Sequence, residues 1–254
     1  YDIIIKLTYE DNIKNHTEKS FDKTIFIFHS DNNDFNCKNS IMLSPDLNNI
    51  SKNNNFKYIL PLFLPINLPN IENNKKLEKT IIYIGLFESY YFDDDLLKFI
   101  NELPDYNFLF IGRKKNTDVV SHIKKLNLKN VIINLNCDTE LLIENILKSK
   151  YILIRKYPFQ SRRFTGALSL SLSFRKIPIL MDSMKKSYNI PHCVAYSDSK
   201  YSNSIDEIKN KSDDDYIEQT KNYGIYCDNL LNKNQIEFNE IINNINIKSG
   251  DKTE

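Results

Sequence analysis

The 254-residue sequence contains no run approaching the roughly 18 to 20 consecutive apolar residues of a membrane span. No cleavable leader is visible at its start. Cysteine is scarce and scattered: Cys37, Cys137, Cys193 and Cys227 show neither the paired spacing of a zinc site nor the density of a disulfide framework. Four reduced thiols in a cytoplasmic protein are expected. Net charge is almost absent, at +1, which argues against the strongly basic face that general nucleic-acid binding uses. Glycine occurs only five times. None of the five builds a G-x-G-x-x-G turn or a G-x-x-x-x-G-K-[ST] loop, which counts against a dinucleotide dehydrogenase and a P-loop NTPase. The chain begins at Tyr1 rather than Met, as expected of a processed protein or of a piece of a longer one.

What is present suffices for a core. Apolar residues make up 41% of the chain, with 15 Phe and 15 Tyr, too many for a disordered protein. The length suits one large domain or two small ones. Over residues 1–75, strand-like runs at Asp2–Lys6, Thr24–Phe28 and Ser40–Leu43 are separated by Asn- and Asp-rich connections. Pro61, Pro65 and Pro69 then mark an extended connector, because each fixes its own backbone angle and lacks a donor. Residues 70–79 read as a linker.

From Thr80 the pattern becomes regular. Strands are predicted at Thr80–Ile84, Tyr106–Ile111, Val131–Leu135, Tyr151–Arg155, Ile177–Met181 and Cys193–Tyr196. Helices are predicted at Asp93–Leu103, Thr117–Leu126 and Asp138–Lys148, with Asp93 and Asp138 as caps. Such alternation means a parallel sheet. The fold class is therefore α/β, with a Rossmann-like parallel sheet of about six strands at 76–204, flanked by helices, and a smaller N-terminal α/β portion at 1–75. Helical segments at 205–210, 214–231 and 235–245 would pack back on these domains. One segment is contested by its own pattern. Leu168-Ser-Leu-Ser-Leu-Ser-Phe174 alternates like a strand, but a parallel neighbour of the preceding strand needs a crossover element first. Residues 165–175 are therefore expected to form a buried helix, with serines as small packing residues.

The most unusual composition lies between Asn145 and Met181. Lys148, Lys150, Arg155, Lys156, Arg162, Arg163, Arg175 and Lys176 fall there without a single Asp or Glu. Four of the chain's five arginines are among them, and none of its 34 asparagines lies between Asn145 and Asn189. Arginine offers a planar fork that matches phosphate and carboxylate. The stretch is expected to build an anion site for the phosphates of a nucleotide. Ser161-Arg-Arg-Phe-Thr165-Gly166 places two arginines, a hydroxyl and a glycine just before a helix start, where free amides and the positive dipole end can hold a diphosphate. Gly85 and Gly112 each end a strand, where a glycine lets the backbone approach a ligand. Arg113 follows the second of these.

A strand, a loop, a helix with Gly166 at its start and then Lys176-Ile-Pro178-Ile-Leu180 resemble the donor-binding half of a GT-B glycosyltransferase. That family has there a Gly-containing turn, a helix of small and apolar residues, and Gly-Lys-Pro-Val-Ile at the start of the next strand. The resemblance covers about residues 80–200 and the C-terminal helices. It implies a nucleotide-diphosphate sugar as donor substrate, with no separate cofactor, and a glycan or protein acceptor bound on the side of residues 1–75. The donor would contact Gly85, Arg113, Arg162, Arg163, Thr165 and Gly166. A full acceptor domain is longer than 1–75, so a larger enzyme is expected. The chain departs from the pattern in three places. Arg163 and Ser171 stand where many retaining members carry two glutamates, and Lys176 stands where the family usually has Gly. A rival of another class is a non-catalytic nucleotide- or glycan-binding module of the same fold.

Two acid triplets, Asp93-Asp-Asp95 and Asp213-Asp-Asp215, contain a D-x-D that could pass for a metal motif. Both sit where helices begin, where the dipole favours carboxylates, and no metal is expected. His29 follows the strand Thr24–Phe28 and is the candidate general base on the acceptor side, with His192 a weaker one. Tyr83, Tyr90 and Tyr91 could present a stacking surface, although core packing is the simpler reading.

Overall fold

The computed structural model describes residues 4–8, 24–28, 40–42, 56–58, 78–85, 87, 92–112, 117–135, 137–154, 165–197 and 200–250. Contacts divide the chain into two units, one comprising 1–61, 162–164 and 228–254, the other 62–161 and 165–227. In the first unit, Ile4–Thr8 (β1), Thr24–Phe28 (β2), Ser40–Met42 (β3) and Phe56–Tyr58 (β4) form a parallel sheet in the order β1-β2-β3-β4. The sequence reading had missed β4.

The second unit follows one rule from β5 onward. Its elements are Thr80–Ile84 (β5), Asp94–Glu102 (α1), Asn107–Gly112 (β6), Thr117–Lys125 (α2), Val131–Leu135 (β7), Thr139–Lys148 (α3) and Tyr151–Leu153 (β8). Gly166–Ser173 (α4), Ile177–Met181 (β9), Asp182–Tyr188 (α5) and Val194–Tyr196 (β10) continue the alternation. A 3-10 turn at Tyr201–Ser204 leads into Ile205–Asn210 (α6) and the long Asp213–Gly250 (α7), whose residues from 228 onward fall in the first unit. All six strands are parallel, in the order β10-β9-β8-β5-β6-β7. Counted from β5, that is the three-two-one-four-five-six order of a doubly wound sheet.

The inner strands are apolar throughout because both of their faces are covered. All five residues of β9, Ile-Pro-Ile-Leu-Met, are buried. A proline is tolerated there for a geometric reason. Ile154 donates to the Ile179 carbonyl, so Ile179 faces β8 and Pro178 faces the other way. The pairing with β10 begins only at Ile179, so the missing donor removes no ladder bond.

Helix starts follow the capping residues. Asp93 Oδ1 accepts from the Leu96 amide and Asp138 Oδ1 from the Leu141 amide, both at 2.8 Å. The contested segment is a helix, α4, with Leu168 and Leu172 buried four residues apart. Ser169, Ser171 and Ser173 are buried as well, which explains the alternation: the helix is covered on nearly every side, and serine is small enough to pass beneath its neighbours.

Two features depart from the sequence reading. The helix α5 was not anticipated, and its seven residues end at Asn189, whose φ of 48° closes it in the left-handed region. The C-terminal segments 214–231 and 235–245 are one continuous helix, α7, starting at a capping box. The Asp215 amide donates to Ser212 Oγ at 3.1 Å, and the Ser212 amide donates back to Asp215 Oδ2 at 3.3 Å. Asn232-Lys-Asn234 does not break the helix because the buried stripe Tyr216, Tyr223, Cys227, Asn234 and Ile241 runs straight through it. Asparagine weakens a helix only slightly, and tertiary burial overrides it.

The packing of α4 yields a first expectation. Leu172→Ala should lower stability by about 2 to 5 kcal/mol, read from denaturant unfolding. A loss well under 1 kcal/mol would mean that α4 is not the buried helix described.

Candidate functional site

Two strands at the centre of the sheet lead outward in opposite directions. From β5 the chain moves to β6 and β7, and from β8 it moves to β9 and β10. At such a reversal the following connections part, and a crevice opens beyond the carboxyl ends of the two strands. Gly85 leaves β5 there, Ile154 leaves β8, and the start of α4 returns to the same edge.

The three glycines at this edge differ in purpose. The Gly85 amide donates to the Ile111 carbonyl at 3.0 Å, extending the ladder, so that amide is committed. A Cβ at Gly112 would lie 1.7 Å from the Gly85 carbonyl oxygen. Close packing of two strand ends therefore demands glycine at 112, whatever is bound. Gly166 is exposed, and a Cβ built there meets nothing within 4 Å. It leaves open space over the first turn of α4.

Thr165 prepares that turn. Its Oγ1 accepts from the Leu168 amide at 3.2 Å, and its carbonyl accepts from the Ser169 amide at 3.1 Å. Among the described residues nothing accepts from the amides of Gly166 and Ala167. The helix thus presents two free N–H groups and its positive dipole end to solvent, while its body is buried. That arrangement can hold an anion.

The basic stretch does not act as one site, which corrects the sequence reading. Three of its lysines serve the opposite edge of the sheet. Lys148 pairs with Glu144 one turn earlier on α3. Lys150 donates to Asp213 Oδ1 at 2.7 Å and lies 4.7 Å over the Tyr216 ring. Lys176 is buried, and its Nζ donates to the carbonyls of Leu147 and Ser149 at 2.7 and 3.0 Å. It caps the end of α3, where unpaired carbonyls and the negative dipole end favour an ammonium. Burial nevertheless pushes the Lys176 amine down to about 8. Arg175 packs its Cδ at 3.4 Å from a Cβ built on Gly224. Arg113, Arg155, Lys156, Arg162 and Arg163 lie outside the described residues, as does His29.

Other sequence candidates resolve as structure. Ser171 is buried. Its Oγ donates to the Lys176 carbonyl at 2.6 Å and lies 3.0 Å from the Tyr223 hydroxyl. It therefore joins α4 to α7 and faces no ligand, and Tyr223 had no signal in the sequence beyond its place on an apolar stripe. Tyr83 is in the core, in ring contact with Phe87, Phe92 and Phe110; Tyr90 and Tyr91 lie outside the described residues. His192 is exposed just before β10, at the amino edge, away from the crevice. Asp95 Oδ2 accepts from the Tyr201 amide at 2.6 Å, so two of the first acid triplet bind backbone amides. A cleft of about 400 Å³ also lies at the amino edge, beside Lys79, Pro104, Tyr106 and Lys150. It is lined by ion pairs and is remote from the carboxyl ends of the strands.

No family model matches the sequence, and no curated protein matches it. Solved structures do match. A glycosyltransferase from Rickettsia africae ESF-5 aligns with a TM-score of 0.60 over 86% of this chain and 70% of its own, at 16% identity. AviGT4, a glycosyltransferase involved in Avilamycin A biosynthesis, aligns with a TM-score of 0.55 over 84% of this chain and 67% of its own, at 9% identity. The fold is that of GT-B glycosyltransferases. OtsA gives 0.51 over 79% of this chain and 52% of its own, at 11% identity, so this chain spans about half of that GT-B relative. Identities this low carry the fold and not the chemistry.

Lys176 generates a pH expectation. Its folded value of about 8 lies below the ordinary 10.5, so between those values the unfolded chain binds the extra proton. Stability should therefore rise with pH across that window, and the gain should vanish in Lys176→Met. Melting temperatures of both proteins between pH 7 and the upper end of the window test this; parallel profiles would refute it.

Proposed function

We propose that this chain transfers a sugar from a nucleotide-diphosphate donor to a glycan or protein acceptor. The observation that carries the reading is the solvent-open start of α4 at the reversal point of a sheet with the GT-B fold. The diphosphate would rest on the amides of Gly166 and Ala167 and on the Thr165 hydroxyl. Arg162 and Arg163, immediately before them in the chain, would supply fixed positive charge, and Arg113 would reach in from the connection after β6. Charge develops on the diphosphate as the glycosidic bond to the donor breaks, and preorganised donors stabilise it where it appears. Gly85 contributes a side-chain-free surface rather than its amide. His29 is the proposed base for the acceptor hydroxyl. Cys137, Cys193 and Cys227 form no disulfide, which suits a reducing compartment, and we place the protein in the cytoplasm. Among the described residues no helix is long and apolar enough to cross a membrane.

One observation favours a second reading, a binding module without transfer. Asp93 and Asp138 cap helices, Asp95 holds the Tyr201 amide and Ser171 is buried, so these groups are unavailable for acid or base work at the crevice. Product formation from a panel of nucleotide sugars separates the two.

A nucleotide screen by thermal shift should find a ligand, since one present at 100 times its dissociation constant stabilises by about 2.7 kcal/mol. Arg163→Ala, and less strongly Arg162→Ala, should then weaken diphosphate binding by about tenfold or more, because charge-assisted bonds contribute roughly 1.5 to 3 kcal/mol each. Lysine at either position should restore binding incompletely. Unchanged affinity in both alanine variants would remove the diphosphate from this site.

Transfer should need no divalent metal, because fixed positive charge takes that role. Activity is expected to survive chelator, and Asp93→Asn combined with Asp95→Asn should leave the rate nearly unchanged. Activity lost in chelator and regained with manganese would overturn the assignment of the acid triplet.

A further inference from the structure

The two edges of the six-stranded sheet are finished differently. β10 is short, and its Val194 and Tyr196 are fully buried. β7, at the other edge, has no buried residue, although its sequence is Val-Ile-Ile-Asn-Leu. Ile132 is 55% exposed, with Leu126 before the strand at 37% and Leu141 after it at 38%. The helix that follows β7 does not cover it, because α3 packs against β5, two strands further in. The backbone of this edge is open as well. The Phe108 amide of β6 donates to the Asn130 carbonyl at 2.7 Å. Alternate residues bond the neighbour in a parallel pair, so Ile132 and Asn134 continue that ladder, and the backbone groups of Val131, Ile133 and Leu135 point away from the sheet. The Val131 amide turns back to the Leu128 carbonyl. Among the described residues nothing pairs with the amide or carbonyl of Ile133. Apolar edge strands usually carry a charge, a proline or a bulge that prevents pairing, and β7 carries none of the three.

The charges at the two ends of the strand are opposite in sign. Lys124, Lys125 and Lys129 stand before it, Asp138 and Glu140 after it, and all five are exposed. None of them has an ion-pair partner among the described residues. We propose that β7 is a self-association surface, occupied by β7 of a second copy of this chain, paired antiparallel about a two-fold axis at Ile133. In that register the two Ile133 residues exchange both of their backbone bonds, and each Leu135 amide reaches the Val131 carbonyl across the axis. Ile132 of one copy lies diagonal to Ile132 of the other, within side-chain reach. The antiparallel arrangement also sets the positive end of each strand beside the negative end of the other, so that Lys129 falls toward Asp138 and Glu140 of the second copy. Because the same patch is used twice, the contact closes at two copies.

Sedimentation velocity of the full chain over a range of concentrations tests this. Wild type should dimerise, whereas Ile132→Lys should be monomeric with an unchanged circular dichroism spectrum. Lys129→Glu and Glu140→Lys change only exposed side chains, and each sets like charges together at both ends of the contact. Each alone should weaken the dimer by about tenfold, as expected when two exposed charge contacts turn from attractive to repulsive. An equal mixture of these two variants should recover wild-type affinity, because a mixed pair again sets opposite charges against each other at both ends. A wild type that stays monomeric, its edge then left to a chain of another kind, would overturn the proposal. So would a dimer that survives all three substitutions, or a mixture that associates no better than its components.

Discussion

The pairing of β5 with β8 is the contact on which the second unit depends. Ile81, Ile82 and Tyr83 lie beside Tyr151, Ile152 and Leu153, and all six are buried. These strands are about 70 residues apart in sequence, so nothing local brings them together. What does so is apolar area: two strands that are hydrophobic on both faces can be covered only at the centre of a sheet with helices on either side. Once they are neighbours, the chain must grow outward from each in opposite directions, and the crevice between their carboxyl ends follows from that geometry.

The same arrangement sorts charge. In a parallel sheet with crossover helices, helix starts gather at one edge and helix ends at the other. Asp93, Asp138 and Thr165 occupy starts and bind amides, whereas Lys148 and Lys176 occupy the end of α3. A stretch that reads as uniformly basic is thereby divided. Lysines at the amino edge meet carbonyls and carboxylates of the fold itself, and Arg175, between α4 and β9, lies at that same edge.

Within that division α4 has an unusual role, since it is buried along its length and open at its first turn. Burial keeps solvent from screening its dipole, and the exposure of Gly166 brings that dipole to the surface. The hydroxyl pair of Ser171 and Tyr223 fixes the far side of the helix to α7. Support for the candidate site thus comes from residues that would never meet a ligand.

The six strands from Thr80 to Tyr196, the helices α1 to α4 and the caps Asp93 and Asp138 were legible in the sequence, because each depends on local spacing or on one side chain meeting a nearby amide, whereas α5 and the cap Thr165 were not. The continuity of α7 was not, since Asn232 and Asn234 look like a break until burial of the stripe on either side is known. Nor could the sequence separate Lys176 from Arg163, as both are cations within one acid-free run. Only tertiary structure decides whether a cation finds three-dimensional partners inside the fold, as Lys176 does in the carbonyls of Leu147 and Ser149. The requirement for glycine at 112 is of the same kind: it arises from the carbonyl of Gly85, 27 residues earlier, which the sheet brings against it. Sequence alone determined most of the strands and helices of the second unit and the caps Asp93 and Asp138, because those are short-range matters of hydrogen bonding and periodicity. Which strands became neighbours, and therefore which lysines serve the fold, was decided by long-range burial.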